Sequence, residues 1–223
     1  MPWRRFGARK TSVQTLDIIA ALPDGALTSP AARRNSDAIL NVLRAHLSAR
    51  GSLLEIASGS GEHAVSFATA LPGLTWTPSD PSIEARASIT AWAQQVGAAN
   101  IRPALPLDAA DTSTWPMGPF DAIFCANMTH ISPWSATEGL MDLAGRVLRR
   151  PGGLLVLYGP YREAEVPLAA SNAAFDESLK ARNPAWGLRD RAAVETLARS
   201  HGLAATRRAP MPSNNLTLLF RSV

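Results

Sequence analysis

The 223-residue sequence predicts a doubly wound α/β fold, a mostly parallel sheet with helices on both faces. Three observations carry that expectation. From residue 52 onward, short apolar runs alternate with stretches of helical periodicity, the pattern of successive β-α-β units. The first run, Leu53-Leu54-Glu55-Ile56, leads straight into the turn Ser58-Gly59-Ser60-Gly61 and a helix start. The chain closes on two apolar runs with no helical stretch between them, which reads as an antiparallel hairpin at the sheet edge.

Taken in order, residues 1–12 are expected to be a loose basic tail, and residues 16–22 a short helix before the turn Pro23-Asp24-Gly25. Residues 1–28 then form an N-terminal extension and residues 29–223 a single domain, long enough to bury roughly 70–75% of its unfolded surface. Ser29-Pro30 gives a helix a serine cap and a proline at its first position, and Ile39, Leu40, Val42, Leu43 and Leu47 follow at helical spacing. Strands are predicted over 53–56, 74–77, 101–107, 120–126 and 154–158, with helices over 62–71, 82–96 and 136–148 between them. Helices over 173–181 and 191–201 follow, then strands over 204–209 and 216–220.

Composition narrows the function. Hydrophobic residues make up 46% and charged residues 18%, so a packed core is expected and a disordered chain is not. The net charge of +4 invites a nucleic-acid partner, but the arginines are scattered from Arg4 to Arg221 and the lysines are Lys10 and Lys180. No dense basic block lies beyond the first ten residues, so nucleic acid is not the expected partner. The single cysteine, Cys125, excludes an intramolecular disulfide and a multi-cysteine zinc site. With no apolar run of about 18 residues and no signal-peptide core behind the first arginines, the sequence reads as cytoplasmic, with no membrane partner.

The glycine turn is the strongest local signal. Gly59 and Gly61 let the backbone take positive φ and let a ligand lie against it, and the helix behind offers free N–H groups to an anion. Ala57, Ser58 and His63 belong to the same turn and helix start. Asp80 ends the second strand 19 residues after Gly61, near the offset at which an acid accepts from ribose hydroxyls, and also in position to cap the next helix through Asp80-Pro81. Asp108 ends the third strand at the same edge, where an acid accepts from an adenine amino group or serves as a turn residue. Glu55 lies inside an apolar strand and needs a hydrogen bond, from backbone or cofactor.

These motifs resemble the class I S-adenosylmethionine-dependent methyltransferases, and more closely an uncharacterised methyltransferase-like family. The resemblance runs through Ser29-Pro30-Ala31-Ala32-Arg33-Arg34-Asn35, Gly59-Ser60-Gly61-Glu62-His63, Pro78-Ser79-Asp80-Pro81, Ala126-Asn127-Met128-Thr129-His130-Ile131, Pro133-Trp134, Tyr158-Gly159-Pro160, Ser171-Asn172 and Asn214-Asn215. It implies a seven-stranded sheet and S-adenosylmethionine as cofactor, its methionine carboxylate on the helix N-terminus. One departure matters: Gly59-Ser60-Gly61-Glu62-His63-Ala64 also fits the dinucleotide form G-x-G-x-x-A, so an NAD-dependent reductase competes. Neither Tyr158 nor Tyr161 has a lysine four residues on, which speaks against a short-chain reductase.

Ligands of an open α/β sheet bind outside the carboxyl ends of the strands, so the segment after the fourth strand is the expected acceptor site. There Asn127 can position acceptor or cofactor, His130 can act as general base, and Trp134 can form a wall. Tyr158, Tyr161 and Arg182 are further substrate candidates from the long excursion after the fifth strand, which could form a lid, and Arg182 or Arg189 can pair with an acidic acceptor. Asn214 and Asn215 are placed in the last turn. The expected activity is methyl transfer to a small-molecule O, N or S nucleophile, without a metal. A non-catalytic cofactor-binding scaffold and an RNA methyltransferase stay open beside it.

Overall fold

The computed structural model describes residues 20–22 and 25–223. The basic tail, most of the helix expected over 16–22, and Pro23 and Asp24 of the expected turn lie outside the described residues. At the described end of that stretch the expectation is corrected: Ala20–Ala21 is a short strand, β1, paired antiparallel with β2, Leu27–Thr28.

Helix α1, Pro30–His46, starts as its sequence dictates, with the Ser29 side chain accepting from the Ala32 amide and Pro30 at the first position. It buries Ala32, Ile39, Leu40 and Leu43. Strand β3, Gly51–Ile56, leads into α2, Glu62–Ala70; β4, Leu74–Pro78, leads into α3, Ile83–Val96. Then come β5, Ala122–Ala126, with α4, Trp134–Val147, and β6, Leu154–Gly159, with α5, Ala170–Arg182, and α6, Arg191–Ser200. The chain ends in β7, Leu203–Met211, and β8, Asn215–Ser222.

The sheet order is β4-β3-β5-β6-β8-β7. The first four strands are parallel, while β8 runs antiparallel to both β6 and β7. The terminal hairpin therefore sits at one edge, as expected. The segment expected as a strand over 101–107 lies along β4 at the other edge, but only as bridges from Ile101 to Trp76 and from Leu105 to Ser79. Pro103 and Pro106 have no N–H to donate, so a continuous ladder cannot form there.

Side chains alternate across each strand, which divides the core in two. Leu54, Ile56, Ile123, Cys125, Leu155 and Leu157 face α4 and α6, where Leu140, Leu143 and Val194 are fully buried. Leu53, Phe124 and Val156 face α1 and α2 on the other side, with Ile39, Leu43 and Phe67. A smaller cluster of Leu179, Trp186 and Leu188 packs with Ile131 and Phe175 and seats the excursion after β6. Asp176 pins that excursion: its buried carboxylate accepts from Arg162, from Lys180 Nζ at 2.7 Å and from the Leu188 amide at 2.8 Å. Burial alone would raise its pKa, but these donors outweigh it and hold the group below the usual carboxylate value.

Strand order reverses between β3 and β5: β4 follows on one side of β3, and β5 lies on the other. A crevice therefore opens at the carboxyl ends of those two strands.

Candidate active site

Both strands that flank the crevice end in a left-handed residue that is not glycine, Ala57 (φ 55°) after β3 and Asn127 (φ 61°) after β5. Such backbone carries strain and gathers where a chain must bend sharply at a site. After Ala57 the turn continues through Gly59 (φ 56°) and Gly61 (φ 88°). At Gly61 a Cβ would lie 2.8 Å from the Ile89 Cα, so only glycine lets α3 pack on the turn. Ser58 locks the ends of β3 and β4 together: its amide donates to the Ser79 carbonyl at 2.8 Å, and its Oγ accepts from the Ser79 amide at 3.1 Å. Helix α2 then begins behind Gly61 with no side-chain cap, which leaves its first-turn amides and positive dipole end to the crevice.

Asp80 is 8% exposed, and its two oxygens accept from the Gly59 amide at 3.0 Å and the Ser82 amide at 2.9 Å. Burial pushes its pKa up, those two amides and Arg86 pull it down, and the charge of Asp108 pushes it up again. The two acids thus act on one region of space. The cap of α3 is not Asp80: Ser82 Oγ accepts from the Ala85 amide, two residues further on than the Asp80-Pro81 pair suggested. Asp108 is exposed and shapes a turn, accepting from the Ala110 amide at 2.9 Å.

Glu55 is buried, and the hydrogen bond it needs comes from the indole Nε1 of Trp76 at 2.7 Å. Burial pushes its carboxyl up to about 8. His63 faces α1: Nε2 lies 2.7 Å from Asn35 Oδ1 and 3.1 Å from the Ala32 carbonyl, and the ring stacks on Phe67 at 5.0 Å. Burial lowers its pKa to about 4, so the ring is a neutral tie between α1 and α2.

A cavity of about 340 Å³ continues from the β5 and β6 ends. Asn127 and Tyr158 form its strand side, and the Tyr158 hydroxyl, its pKa raised by burial, is hydrogen-bonded to Asn35. Arg34 and Asn35 of α1 close one flank, while Asn172, Phe175 and Arg182 of α5 close another. Asn215 comes from the last turn, in which Ser213 and Asn214 take left-handed φ of 58° and 57°. Arg34, Asn35, Asn172, Phe175 and Asn215 were not site candidates from sequence. Their spacing gives no local signal, because only the fold brings α1, α5 and the β7–β8 turn together.

Several expected residues are placed elsewhere. His130 has no solvent exposure and does not line the cavity; its Nε2 lies against Gly159 and has no hydrogen-bond partner among the described residues. Its Nδ1 accepts from the Arg189 amide at 3.3 Å, its ring meets Tyr161 edge-on at 4.6 Å, and burial with the nearby Arg189 charge lowers its pKa to about 3. As placed, the imidazole is neutral and enclosed behind Gly159 and not among the residues that line the cavity. Trp134 is the half-buried first residue of α4, with the Arg189 guanidinium 5.7 Å from its ring centre, and is not among the residues that line this cavity. Arg189 itself holds the loop, donating to the carbonyls of Thr129, Ser132 and Ala185. Tyr161 is buried, within 3.3 Å of Thr129 Oγ1, and lines a neighbouring cavity of about 200 Å³.

A model of the family described as "Protein of unknown function (DUF938)" matches residues 27–222. Among solved structures, an O-methyltransferase family protein from Burkholderia thailandensis superposes with a TM-score of 0.69 at 16% identity, over 84% of this chain and 58% of that one. A putative O-methyltransferase from Nostoc punctiforme PCC 73102 gives 0.72 at 14% identity, over 84% and 55%. Magnesium protoporphyrin IX methyltransferase from Synechocystis PCC 6803, solved with bound S-adenosylhomocysteine, gives 0.65 at 17% identity, over 84% and 82%. The chain thus spans little more than half the length of the first two. Its fold is that of the class I methyltransferases.

Proposed function

The chain belongs to the DUF938 family, whose description names no reaction, and from its own site we propose that it transfers a methyl group from S-adenosylmethionine to a small molecule. One observation carries this reading. The parallel strands β3, β4 and β5 end at one edge of the sheet, which puts the uncapped α2 N-terminus and Asp80 at the same edge as Asn127, a lining residue of the cavity of about 340 Å³. That volume suits a small acceptor.

The residues present fit the cofactor. The first-turn amides of α2 would take its carboxylate, the second lone pairs of Asp80 its ribose hydroxyls, and Asp108 its adenine amino group. The cofactor supplies a methyl group activated on a positively charged sulfur. The protein's own work is to hold the acceptor in line and keep water out. Asn127 and Tyr158 orient the acceptor from the strand ends, and α5 covers the cavity. The His130 ring packs against Gly159 at the end of β6 and accepts from the Arg189 amide, and its role in this reading is to position those two segments beside Asn127.

Calorimetry tests the cofactor and labelled methyl transfer tests the reaction. S-adenosylhomocysteine should bind and NAD should not, and label from S-adenosylmethionine should pass to a component of a small-molecule extract. Tighter binding of NAD sinks the reading.

A further inference from the structure

A chain of hydrogen bonds with a fixed direction ends at the Tyr158 hydroxyl. The Ala32 carbonyl can only accept, so His63 Nε2, 3.1 Å from it, carries a proton. Nε2 shares that proton with Asn35 Oδ1 at 2.7 Å, which makes Oδ1 an acceptor and leaves the Asn35 NH2 group to donate. That group donates to the Tyr158 oxygen. The Tyr158 hydroxyl proton is therefore not spent on Asn35, and among the described residues the hydroxyl has no other partner. Tyr158 is 3% exposed, and the space it borders is the cavity of about 340 Å³, so an unmet donor faces whatever the cavity holds.

The same lining offers no group to take up a proton. Among the described residues it contains no carboxylate and no imidazole, and its charged members are the guanidinium groups of Arg34 and Arg182, which cannot act as bases; Arg182 also has a partner already. His63 and His130 stand outside it, both held neutral by burial, the one turned to α1 and the other enclosed behind Gly159. Burial raises the Tyr158 pKa as well, which keeps the phenol protonated and a donor.

We propose that the methyl acceptor is an oxygen that enters the cavity already ionised, a carboxylate or an acidic phenol or enol, and that Tyr158 is the specificity-determining residue that donates to it. The inference rests on the methyl-transfer reading for what the cavity is for, but it can fail alone. In the step itself a lone pair of the oxyanion forms the new O–CH3 bond while the S–CH3 bond breaks and its electron pair stays on sulfur. The sulfonium becomes a neutral thioether, the oxyanion becomes an ester or ether, and no proton moves. An alcohol would need a base that the lining lacks, and an amine would spend its lone pair on the methyl group and turn only N–H toward a hydroxyl that needs an acceptor.

The test titrates 4-nitrophenol, whose phenol and phenolate differ in colour, on the full chain loaded with S-adenosylhomocysteine. The bound probe should ionise about one pH unit or more below the free compound, a preference of about 10-fold for the phenolate. Tyr158→Phe, which keeps the ring, should remove most of that shift and leave S-adenosylhomocysteine affinity unchanged. Benzoate should compete with the probe at least about 10-fold more tightly than aniline does, and whichever of benzoate and 4-nitrophenolate binds more tightly identifies the source of the oxyanion. A bound probe that ionises at or above its free value, no binding of either oxyanion at millimolar concentration, or a shift fully kept in Tyr158→Phe overturns the inference while the methyl-transfer reading stands. The first two outcomes are read on the unsubstituted protein and do not depend on how the variant folds. Loss of S-adenosylhomocysteine binding in a folded Tyr158→Phe also overturns it, because the hydroxyl then serves the cofactor. If the unsubstituted protein fails to bind S-adenosylhomocysteine at all, the methyl-transfer reading falls first and takes the inference with it.

Discussion

Gly159→Ala puts a methyl group where the His130 ring already is. The new Cβ would stand 2.4 Å from His130 Nε2 and 2.7 Å from Cδ2, against an ordinary heavy-atom contact of about 3.5–4.0 Å. About 1 Å of movement is therefore required. Neither partner has it to give: Gly159 is paired with Leu216 of β8, and His130 is held by the Arg189 amide on Nδ1, by the Gly187 amide on its carbonyl and by the Tyr161 ring. Overpacking of a closed core of this kind costs about 1–3 kcal/mol. For a domain of this length that lowers Tm by roughly 2–12 °C. The diagnostic measurement is a double-mutant cycle by thermal melt. His130→Ala alone opens a void and destabilises; combined with Gly159→Ala, the added methyl fills part of it, so the pair should be more stable than the sum of the singles by at least about 1 kcal/mol. Additive effects within about 0.5 kcal/mol would show that the imidazole does not press on β6 and would return His130 to the cavity as an acid–base candidate.

Asp80→Asn keeps the side chain's shape but exchanges one of two accepting oxygens for an NH2 group, so either the Gly59 or the Ser82 amide loses its partner, and S-adenosylhomocysteine affinity should fall about 10- to 100-fold by calorimetry; unchanged affinity would remove Asp80 from the proposed nucleoside site. Glu55 gives a pH signature: its carboxyl ionises near 4.5 when unfolded and near 8 when folded, so the folded state binds the extra proton between those values and stability declines as pH rises through that window. Glu55→Gln, which still accepts from Trp76, should erase that decline, with melts that converge with wild type near pH 4.5 and exceed it by a few degrees or more above pH 8; parallel pH profiles would refute the buried-acid account.

The strands and helices were legible because each carries its own local signal. Ser29-Pro30 announced α1, the glycine turn announced the β3–α2 junction, and the pair of apolar runs after residue 203 announced the hairpin. The run over 101–107 looked equally apolar, but its prolines cost it the ladder. The placement of Gly59, Gly61 and Asp80 was legible for a related reason: they follow the ends of β3 and β4, and sequence order fixes which sheet edge they share, while Asp108 acts on Asp80 from the segment bridged to β4. After β5 that logic fails. The sequence places His130 and Trp134 near the crevice but not the direction the chain takes there, and left-handed Asn127 turns it so that Thr129 and His130 pack inward under the excursion instead of into the cavity.

The excursion and α1 supply what the strand ends do not, and a short chain of contacts joins the two halves of the site. His63, two residues inside α2, is bonded to Asn35 of α1, and Asn35 is bonded to the Tyr158 hydroxyl at the cavity. All three are buried or half-buried, and His63 is neutral well below pH 7, so the chain carries no net charge to be solvated. Helix α2 is thereby tied through α1 to the tyrosine that lines the cavity. Neither His63 nor Asn35 needs to touch a reacting atom to hold the two helices together, and with Arg34 next to Asn35 the same helix contributes a further residue to the cavity lining. Helix α1 thus works as part of the cavity's frame, and the family match over residues 27–222 includes it.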